Sequence, residues 1–223
     1  MRNVSAVLFD LDGVLVESRE ATERVWLDWA LKHGIGAEEL RSAMHGVRSA
    51  DVIRALRPDL DAVAESEEVE RRQALDVDGL AAIPGAAAAL GALRTERVAV
   101  VTSGTRPLAL ARLAAVGIEP PAVIVFAGDV ARGKPDPEGY LAAARRLGAD
   151  PAEALVVEDA PPGIEAAQAA GAATVGVTST HPPEELAAAD VVIESLEELP
   201  ELLATRFDAA AVLEPLQRRG CGA

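Results

Sequence analysis

Short apolar runs that alternate with helix-like segments constrain the fold of this chain more than any other feature of its sequence. Each run is dominated by apolar residues, as expected of a strand that is buried on both faces of a sheet. Strands separated by helices form parallel βαβ units, so the pattern predicts an α/β protein with a doubly wound parallel sheet. The predicted strands of this region are residues 97–102, 122–126, 154–157, 173–177 and 190–193.

The first part of the chain follows a different pattern. One further apolar strand is predicted at residues 4–9, and from residue 16 to residue 80 only helical patterns appear. The turn-forming pairs Asp78-Gly79 and Pro84-Gly85 mark the return to the alternating pattern, where we expect a hinge. The helices expected before this return are residues 21–32, 38–44, 50–56 and 60–75.

These patterns divide the chain into a core and an insertion. We predict a Rossmann-like α/β core made of residues 1–16 and 81–223, interrupted by an α-helical insertion at residues 17–80. Further helix is expected at the alanine tracts 86–89 and 187–189, and after residue 205, where an extra helix with a frayed tail is expected.

Two aspartates follow the first predicted strand, in the sequence Phe9-Asp10-Leu11-Asp12-Gly13. Ligands of open α/β sheets gather at this carboxyl end of the strands. A carboxylate can attack phosphorus to form an aspartyl-phosphate when a divalent metal screens the repulsion between the two anions. Asp10 is therefore the predicted nucleophile, and Asp12 is the predicted acid/base. The same short pattern also occurs in turns and helix caps, so this motif alone leaves the function open.

A turn that can bind phosphate follows the predicted strand at 97–102. It reads Thr102-Ser103-Gly104 and precedes a helical pattern that starts near Arg106. The Thr102 hydroxyl and the Ser103 backbone N–H can hold the oxygens of a transferring phosphoryl group. The alternative is an ordinary helix N-cap formed by Ser103 or Thr105.

Lys134 lies between a glycine and a proline, directly before a helical pattern. A fixed ammonium in this place can neutralise a nucleophile and a phosphate together. Most lysines are solvated surface charges, which is the alternative for Lys134.

A second acid pair, Glu158-Asp159, follows the predicted strand at 154–157. Mg²⁺ prefers oxygen ligands and keeps several waters, so one or two of these carboxylates would suffice together with Asp10 and the backbone carbonyl of Asp12. Helix N-capping by Asp159, with Glu158 as a solvated neighbour, is the alternative.

The four motifs follow one another in a fixed order, each at the end of a predicted strand. In this order the chain resembles the haloacid dehalogenase superfamily of phosphohydrolases, from about residue 6 to about residue 198. The resemblance implies a Mg²⁺-dependent phosphoric monoester hydrolase. It also implies that the insertion is a small α-helical cap that excludes water and selects the substrate. The first of the four superfamily motifs corresponds to Asp10 and Asp12, and the second to Thr102. The third corresponds to Lys134, and the fourth to Glu158 and Asp159.

Substrate contacts are expected in the cap. His45 and Arg48 lie in a break between two predicted cap helices, where the imidazole can bind a polyol and the guanidinium a hydroxyl or a phosphate. Both side chains can equally serve as helix-end charges. Trp26 and Trp29 are spaced three apart on the first cap helix, so core packing is expected of them, although Trp26 can also face the pocket.

The sequence is most similar to the glycerol-3-phosphatase and 2-deoxyglucose-6-phosphatase group, in the runs Glu23-Arg24-Val25-Trp26, His45-Gly46 and Thr102-Ser103-Gly104-Thr105. It is less similar to the related β-phosphoglucomutases, whose linker histidine would fall near Thr22. The resemblance to the glycerol-3-phosphatase and 2-deoxyglucose-6-phosphatase group favours a phosphatase acting on a small phosphorylated sugar or polyol. A sugar phosphomutase and a catalytically silent phosphate-binding module are the alternatives. Dehalogenation is not expected, because Asp12, Glu158 and Asp159 are all present.

The composition is that of a compact enzyme. A chain of 223 residues, half of them apolar, can hold one core and a modest insertion. Its formal charge of −15 argues against nucleic acid and anionic membranes as partners, since both attract basic surfaces. We expect a small phosphorylated metabolite as partner, and a monomer or weak dimer. A cytoplasmic location is expected, because the first strand begins too soon after Met1 for a signal peptide. Cys221 is the single cysteine, so no intrachain disulfide forms.

Overall fold

A six-stranded parallel sheet forms the centre of the molecule. The structure is a computed structural model that describes residues 1–44 and 46–214. The strands of this sheet lie in the order β6-β5-β2-β7-β8-β9, and each is parallel to its neighbours. This is the doubly wound α/β fold that the alternating pattern predicts, and the five strands predicted between residues 97 and 193 are all present. The strands, numbered along the chain, are β1 Arg2–Asn3, β2 Ala6–Phe9, β3 Val16–Glu17, β4 Ala81–Ala82, β5 Val98–Val101, β6 Val123–Val125, β7 Ala154–Glu158, β8 Ala173–Val177, β9 Val191–Ile193 and β10 Phe207–Asp208.

Helices cover both faces of this sheet. Along β2, Val7 and Phe9 join the apolar core on one face, whereas Ala6 and Leu8 join the core on the other, because successive side chains of a strand point to opposite faces. Helices α5, α6 and α9 pack on the first face, and α7 and α8 on the second. The α-helices are α1 Arg19–His33, α2 Ala37–Ala43, α3 Ser49–Leu56, α4 Ala62–Leu75, α5 Ala86–Gly91, α6 Arg106–Ala115, α7 Glu138–Leu147, α8 Pro161–Ala169 and α9 Leu199–Arg206.

The first four helices form a separate apolar cluster of their own. Trp26 and Trp29 of α1 lie at its centre with their ring centroids 5.4 Å apart and their planes nearly perpendicular, an arrangement that aromatic pairs favour. Buried residues of α2, α3 and α4 complete the cluster. Two chain segments link these helices to the sheet. They run antiparallel as β3 and β4, with Val16 opposite Ala82.

Three local predictions were wrong. Residues 16–17 form a short strand where only helix is predicted, because two residues, one of them the charged Glu17, do not make an apolar run. Residues 187–189 lie in a series of turns after Pro182 and Pro183, because three alanines are too few to nucleate a helix there. The chain after Arg206 extends as β10, in which Phe207 is buried and pairs with Arg2 of β1.

His45, Cys221 and the rest of the predicted tail at 215–223 lie outside the described residues. Within the part that is described, no helix is both long enough and apolar enough to cross a bilayer.

Candidate active site

The motifs meet because the strands that precede them are neighbours in the sheet. Strand β2 lies between β5 and β7, so Asp10, Thr102 and Glu158 all lie at the same edge. At Asp10 and Thr102, just beyond β2 and β5, the backbone still makes the hydrogen bonds of the parallel sheet. The N–H of Asp10 donates to the carbonyl of Val157, and the N–H of Thr102 donates to the carbonyl of Val125, both at 3.0 Å.

Lys134 connects the two acid pairs. Its ammonium donates to Oδ1 of Asp10 and, at 2.5 Å, to Oε1 of Glu158. The same oxygen of Glu158 accepts a hydrogen bond from the hydroxyl of Tyr140 at 2.6 Å, and Oε2 accepts one from the N–H of Asp159 at 3.0 Å. The Lys134 side chain is 8% exposed, so Lys134 is not the solvated surface charge of the alternative interpretation.

Burial of these charges shifts their protonation. Burial raises the pKa of Asp10 to about 7, although the Lys134 ammonium opposes the shift. Burial and the neighbouring Glu158 and Asp10 charges raise the pKa of Asp159 well above its usual range. For Lys134, burial opposes protonation, but the charges of Asp10 and Glu158 outweigh it and raise the pKa. The site thus holds more buried negative charge than Lys134 can balance.

The excess negative charge makes this a site that can bind a metal ion. Asp10, Glu158 and Asp159 each offer a carboxylate oxygen, and these atoms lie within 4.8 Å of one another. Oxygen donors of this kind suit a hard divalent cation such as Mg²⁺. Both oxygens of Glu158 already accept hydrogen bonds, which leaves Asp10 and Asp159 as the carboxylates more open to an ion.

Gly13 makes room for this cluster. Its φ of +82° is open to glycine and rare for other residues, and a Cβ at this position would lie 2.0 Å from Oδ2 of Asp159. Oδ2 of Asp159 also accepts a hydrogen bond from the hydroxyl of Thr180.

The phosphate turn lies beside these groups. The buried Thr102 hydroxyl accepts a hydrogen bond from the N–H of Gly104 at 3.0 Å, and the Ser103 hydroxyl donates to the carbonyl of Gly46 at 3.0 Å. Thr105 occupies the N-cap position of α6, but its side chain makes no capping hydrogen bond. Ala160, not Asp159, occupies the N-cap position of α8. Thr105 is therefore an N-cap by position only, and Asp159 is not the N-cap of α8.

A cavity of about 480 Å³ opens above the acid pairs, and both the core and helices α1 to α4 line it. Its apolar wall is formed by Trp26, Met44, Val47, Val52 and Leu108. Its polar side chains include those of Thr22, Glu23, Arg41, Ser49 and Gln73. The predicted site residues on its lining are Asp10, Asp12, Trp26, Ser103, Lys134, Glu158 and Asp159. Trp26 thus has both predicted roles, since it also packs in the helical cluster.

Two predicted residues lie beside this cavity and not on its lining. Thr102 and Arg48 line a small neighbouring cavity of about 20 Å³. The Arg48 guanidinium binds Asp51 at 2.8 Å and the carbonyl of Ala131 at 3.1 Å, so it joins the helical insertion to the loop before Lys134. Substrate contact by Arg48 stays a prediction, and His45 lies outside the described residues.

Sequence reasoning missed several residues that support the motifs. Arg112 and Ser18 contact Asp12, Tyr140 contacts Glu158, and Thr180 contacts Asp159. Only Arg112 carried a signal that could have been used. It follows Leu108 by four residues and Ala109 by three, so it lies on the buried face of α6, where a charge is unusual.

The fold and site together define a doubly wound α/β protein with a buried carboxylate and lysine site between its core and a helical insertion. Residues 4–171 match the family model described as haloacid dehalogenase-like hydrolase. The chain therefore belongs to the haloacid dehalogenase-like hydrolases. Because its curated relatives are named phosphatases and phosphohydrolases, it is a phosphoric monoester hydrolase.

Individual relatives agree with this assignment. The chain is 41% identical over 197 residues to hexitol phosphatase A of Escherichia coli, covering 86% of this chain and 91% of that protein. It is 38% identical over 192 residues to glycerol-1-phosphate phosphohydrolase 2 of Saccharomyces cerevisiae, covering 79% and 76%. A putative β-phosphoglucomutase from Thermotoga maritima has a similar solved structure, with a TM-score of 0.64 and 31% identity over 90% of this chain and 99% of that one.

The packing of α8 against Glu158 yields a test by mutation. A Cβ at Gly163 would lie 1.7 Å from Oε1 of Glu158, which Lys134 and Tyr140 hold in place. We expect Gly163→Ala to lower the free energy of unfolding by about 1–3 kcal/mol and phosphate release by more than about tenfold. Urea unfolding and a phosphate assay measure the two effects.

Gly91→Ala is the matched control, because Gly91 is also helical and a Cβ there would meet nothing within 4 Å. We expect this variant to be neutral or more stable by up to about 1 kcal/mol. Equal stability and activity of the two variants would contradict the close contact at Glu158.

Proposed function

We propose that the protein is a Mg²⁺-dependent phosphatase that hydrolyses a small phosphorylated sugar or polyol through an aspartyl-phosphate intermediate. The proposal rests on the contact of Lys134 with both Asp10 and Glu158, inside the carboxylate cluster and beneath the cavity. This contact places a buried cation directly beside the predicted nucleophile. A phosphate group entering the cavity would meet Asp10 and Lys134 together.

The reaction has two steps. In the first step an oxygen of Asp10 forms a bond to phosphorus, the bond from phosphorus to the ester oxygen breaks, and Asp12 donates a proton to the departing alcohol. In the second step Asp12 removes a proton from a water molecule, and that water attacks phosphorus and releases Asp10. Lys134 and the backbone N–H of Ser103 would hold the phosphoryl oxygens throughout.

Asp10, Asp159 and the backbone carbonyl of Asp12 would hold Mg²⁺, and Glu158 could supply a further carboxylate oxygen. When bound, the ion supplies positive charge that screens the repulsion between Asp10 and the phosphate. Glu158 has a second task in this proposal, since its contact with the Lys134 ammonium orients that ammonium beside Asp10.

The cavity suits a small polar leaving group. Its volume of about 480 Å³ lies in the range of small-molecule sites. Hydroxyl groups of a sugar or polyol would find partners in Glu23, Ser49 and Gln73, which line its wall. The names of the two curated relatives, a hexitol phosphatase and a glycerol phosphate phosphohydrolase, support the same substrate class.

A panel of phosphate esters tests the proposal. With Mg²⁺ present, we expect the highest kcat/KM for hexitol, glycerol or sugar phosphates, and values at least about tenfold lower for nucleotides and phosphoglycolate. Chelation should abolish phosphate release, and added Mg²⁺ should restore it. A preference for nucleotides, or full activity in the presence of chelator, would contradict the proposal. Isomerisation of a sugar 1-phosphate in the presence of a sugar bisphosphate, without phosphate release, would instead show a mutase.

A further inference from the structure

A buried arginine connects the predicted acid/base to the helical insertion. Arg112 belongs to α6 of the core, and its side chain is 7% exposed. Its Nη1 lies 2.5 Å from Oδ1 of Asp12 and forms an ion pair with that carboxylate. Its Nη2 donates to the hydroxyl of Thr22 and to Oε1 of Gln73, each at 2.7 Å. Thr22 belongs to α1 and Gln73 to α4, so one guanidinium contacts the catalytic loop and two helices of the insertion.

The contact restricts how the Asp12 carboxyl can turn. The same Oδ1 of Asp12 accepts a hydrogen bond from the hydroxyl of Ser18, at 2.7 Å. An ion pair and a hydrogen bond on one oxygen restrict rotation of the carboxyl group. The guanidinium is suited to this because its own hydrogen bonds to Thr22 and Gln73 fix its planar group in place. The Asp12 side chain is still 30% exposed and borders the cavity, so a substrate can reach it.

Packing alone does not explain an arginine at this place. The neighbouring residues on this face of α6, Leu108, Ala109 and Leu113, are apolar and buried. A buried guanidinium is costly unless its donors are all paired, and an apolar side chain fills such a space at less cost. The pairs that Arg112 does make lead to Asp12 on one side and to Thr22 and Gln73 on the other.

The same helix makes a second contact with the insertion close by. The N–H of Thr105 donates to Oε2 of Glu70 at 2.7 Å, and Glu70 is buried on α4 three residues before Gln73. Helices α4 and α6 thus meet through a buried polar contact at Gln73 and a partly buried one at Glu70. The Arg112 guanidinium can bind all of its partners only while α1 and α4 hold these positions.

We propose that Arg112 is a positioning residue for the leaving-group step. It holds the Asp12 carboxyl in the orientation from which a proton passes to the ester oxygen, and this orientation depends on Thr22 and Gln73. The inference rests on the proposed function. In the step concerned, the bond between phosphorus and the ester oxygen breaks, the ester oxygen takes the Asp12 proton, and phosphorus becomes bonded to Asp10.

Leaving groups of different basicity test this role. A polyol leaves as an alcohol and needs the proton, whereas p-nitrophenolate is stable enough to leave without one. For Arg112→Gln we expect kcat for the best polyol or sugar phosphate of the panel to fall about 100-fold. The kcat for p-nitrophenyl phosphate should change less than about threefold, and KM for both esters should stay within about threefold. A merely structural role would lower both rates together.

Two further variants secure the result. Arg106→Gln is the control, because Arg106 is an exposed arginine on the same helix whose guanidinium lies over the Phe126 ring. We expect it to leave both rates unchanged. Thr22→Val keeps the side-chain shape and removes one anchor of Arg112, so it should lower kcat for the polyol ester alone, about threefold to tenfold. This variant keeps the test valid if Arg112→Gln folds poorly.

The Asp12→Asn background decides whether Arg112 acts through Asp12. Adding Arg112→Gln to Asp12→Asn should lower kcat for the polyol ester no further. A further fall in the double variant, equal losses for both esters in Arg112→Gln, or a raised KM with unchanged kcat would each overturn the inference while the proposed function stands. Failure of the unmodified enzyme to hydrolyse any ester would overturn both.

Discussion

Replacing Asp10 with asparagine is expected to lower phosphate release from every ester by about 10⁴-fold or more, because an amide cannot serve as the attacking oxygen nucleophile. Asp10 is the carboxylate that Lys134 contacts at the end of β2, and burial raises its pKa to about 7. Asparagine has nearly the same size, so the variant should fold. Steady-state phosphate release with Mg²⁺ measures the loss, and circular dichroism checks the fold.

A trapping experiment separates the nucleophile from a metal ligand. With a ³²P-labelled ester and rapid acid quenching, the unmodified enzyme should retain protein-bound label that hydroxylamine releases, as expected of an acyl phosphate. Asp10→Asn should retain none. Asp28→Asn is the control, since this carboxylate is 66% exposed on α1 and pairs with Arg72. Substantial turnover or hydroxylamine-sensitive label in Asp10→Asn would show that Asp10 is not the nucleophile.

Replacing Lys134 with glutamine has the second largest expected effect, and it acts on both stability and activity. The ammonium is the cation that lies between Asp10 and Glu158, and its loss leaves these buried carboxylates to repel each other and Asp159. Removing one partner of a buried ion pair typically costs 3–5 kcal/mol, and we expect a loss of about this size in the metal-free protein. Phosphate release should fall by about 10²–10³-fold, as for the loss of one oxyanion donor.

Lys32→Gln is the matched control, because Lys32 is the only other lysine of the chain and is exposed on α1. We expect it to be nearly neutral. Urea unfolding with and without Mg²⁺ should show that the ion recovers part of the stability that Lys134→Gln loses, since it supplies positive charge to the same carboxylates. A Lys134→Gln protein as stable and active as Lys32→Gln would contradict the central role of this ammonium.

The contacts of Lys134 agree with the different tasks that we propose for Asp10 and for the acid pair Glu158-Asp159. Asp10 meets the cavity from the end of β2, whereas Glu158 is 1% exposed and is surrounded by donors from Lys134, Tyr140 and the N–H of Asp159. A carboxylate enclosed in this way is suited to holding a cation in place. Asp159 accepts fewer hydrogen bonds on its carboxylate, which leaves it the better placed of the pair for Mg²⁺.

The sequence by itself determined the sheet and the order of the motifs along it. Parallel strands have a regular backbone, so apolar runs such as 122–126 and 173–177 are sufficient to predict where strands lie. Their carboxyl ends must share one edge, and this is enough to bring Asp10, Thr102 and Glu158 to one place. Family membership follows from the same order, since it needs no knowledge of how side chains pack.

Only the tertiary structure decided which side chains touch. The contact of Arg112 with Asp12 and the contact of Lys134 with Glu158 depend on how helices lie against the sheet and against each other. The sequence pattern likewise does not predict that the Arg48 guanidinium binds Asp51 and the backbone carbonyl of Ala131. The physical reason is that a buried charge must be paired with polar groups that lie next to it after folding. These groups belong to residues far apart in sequence, so spacing along the chain does not identify them. Spacing along the chain predicts the edge of the sheet where chemistry occurs, whereas the pairing of charges at that edge follows from the packing of the whole molecule.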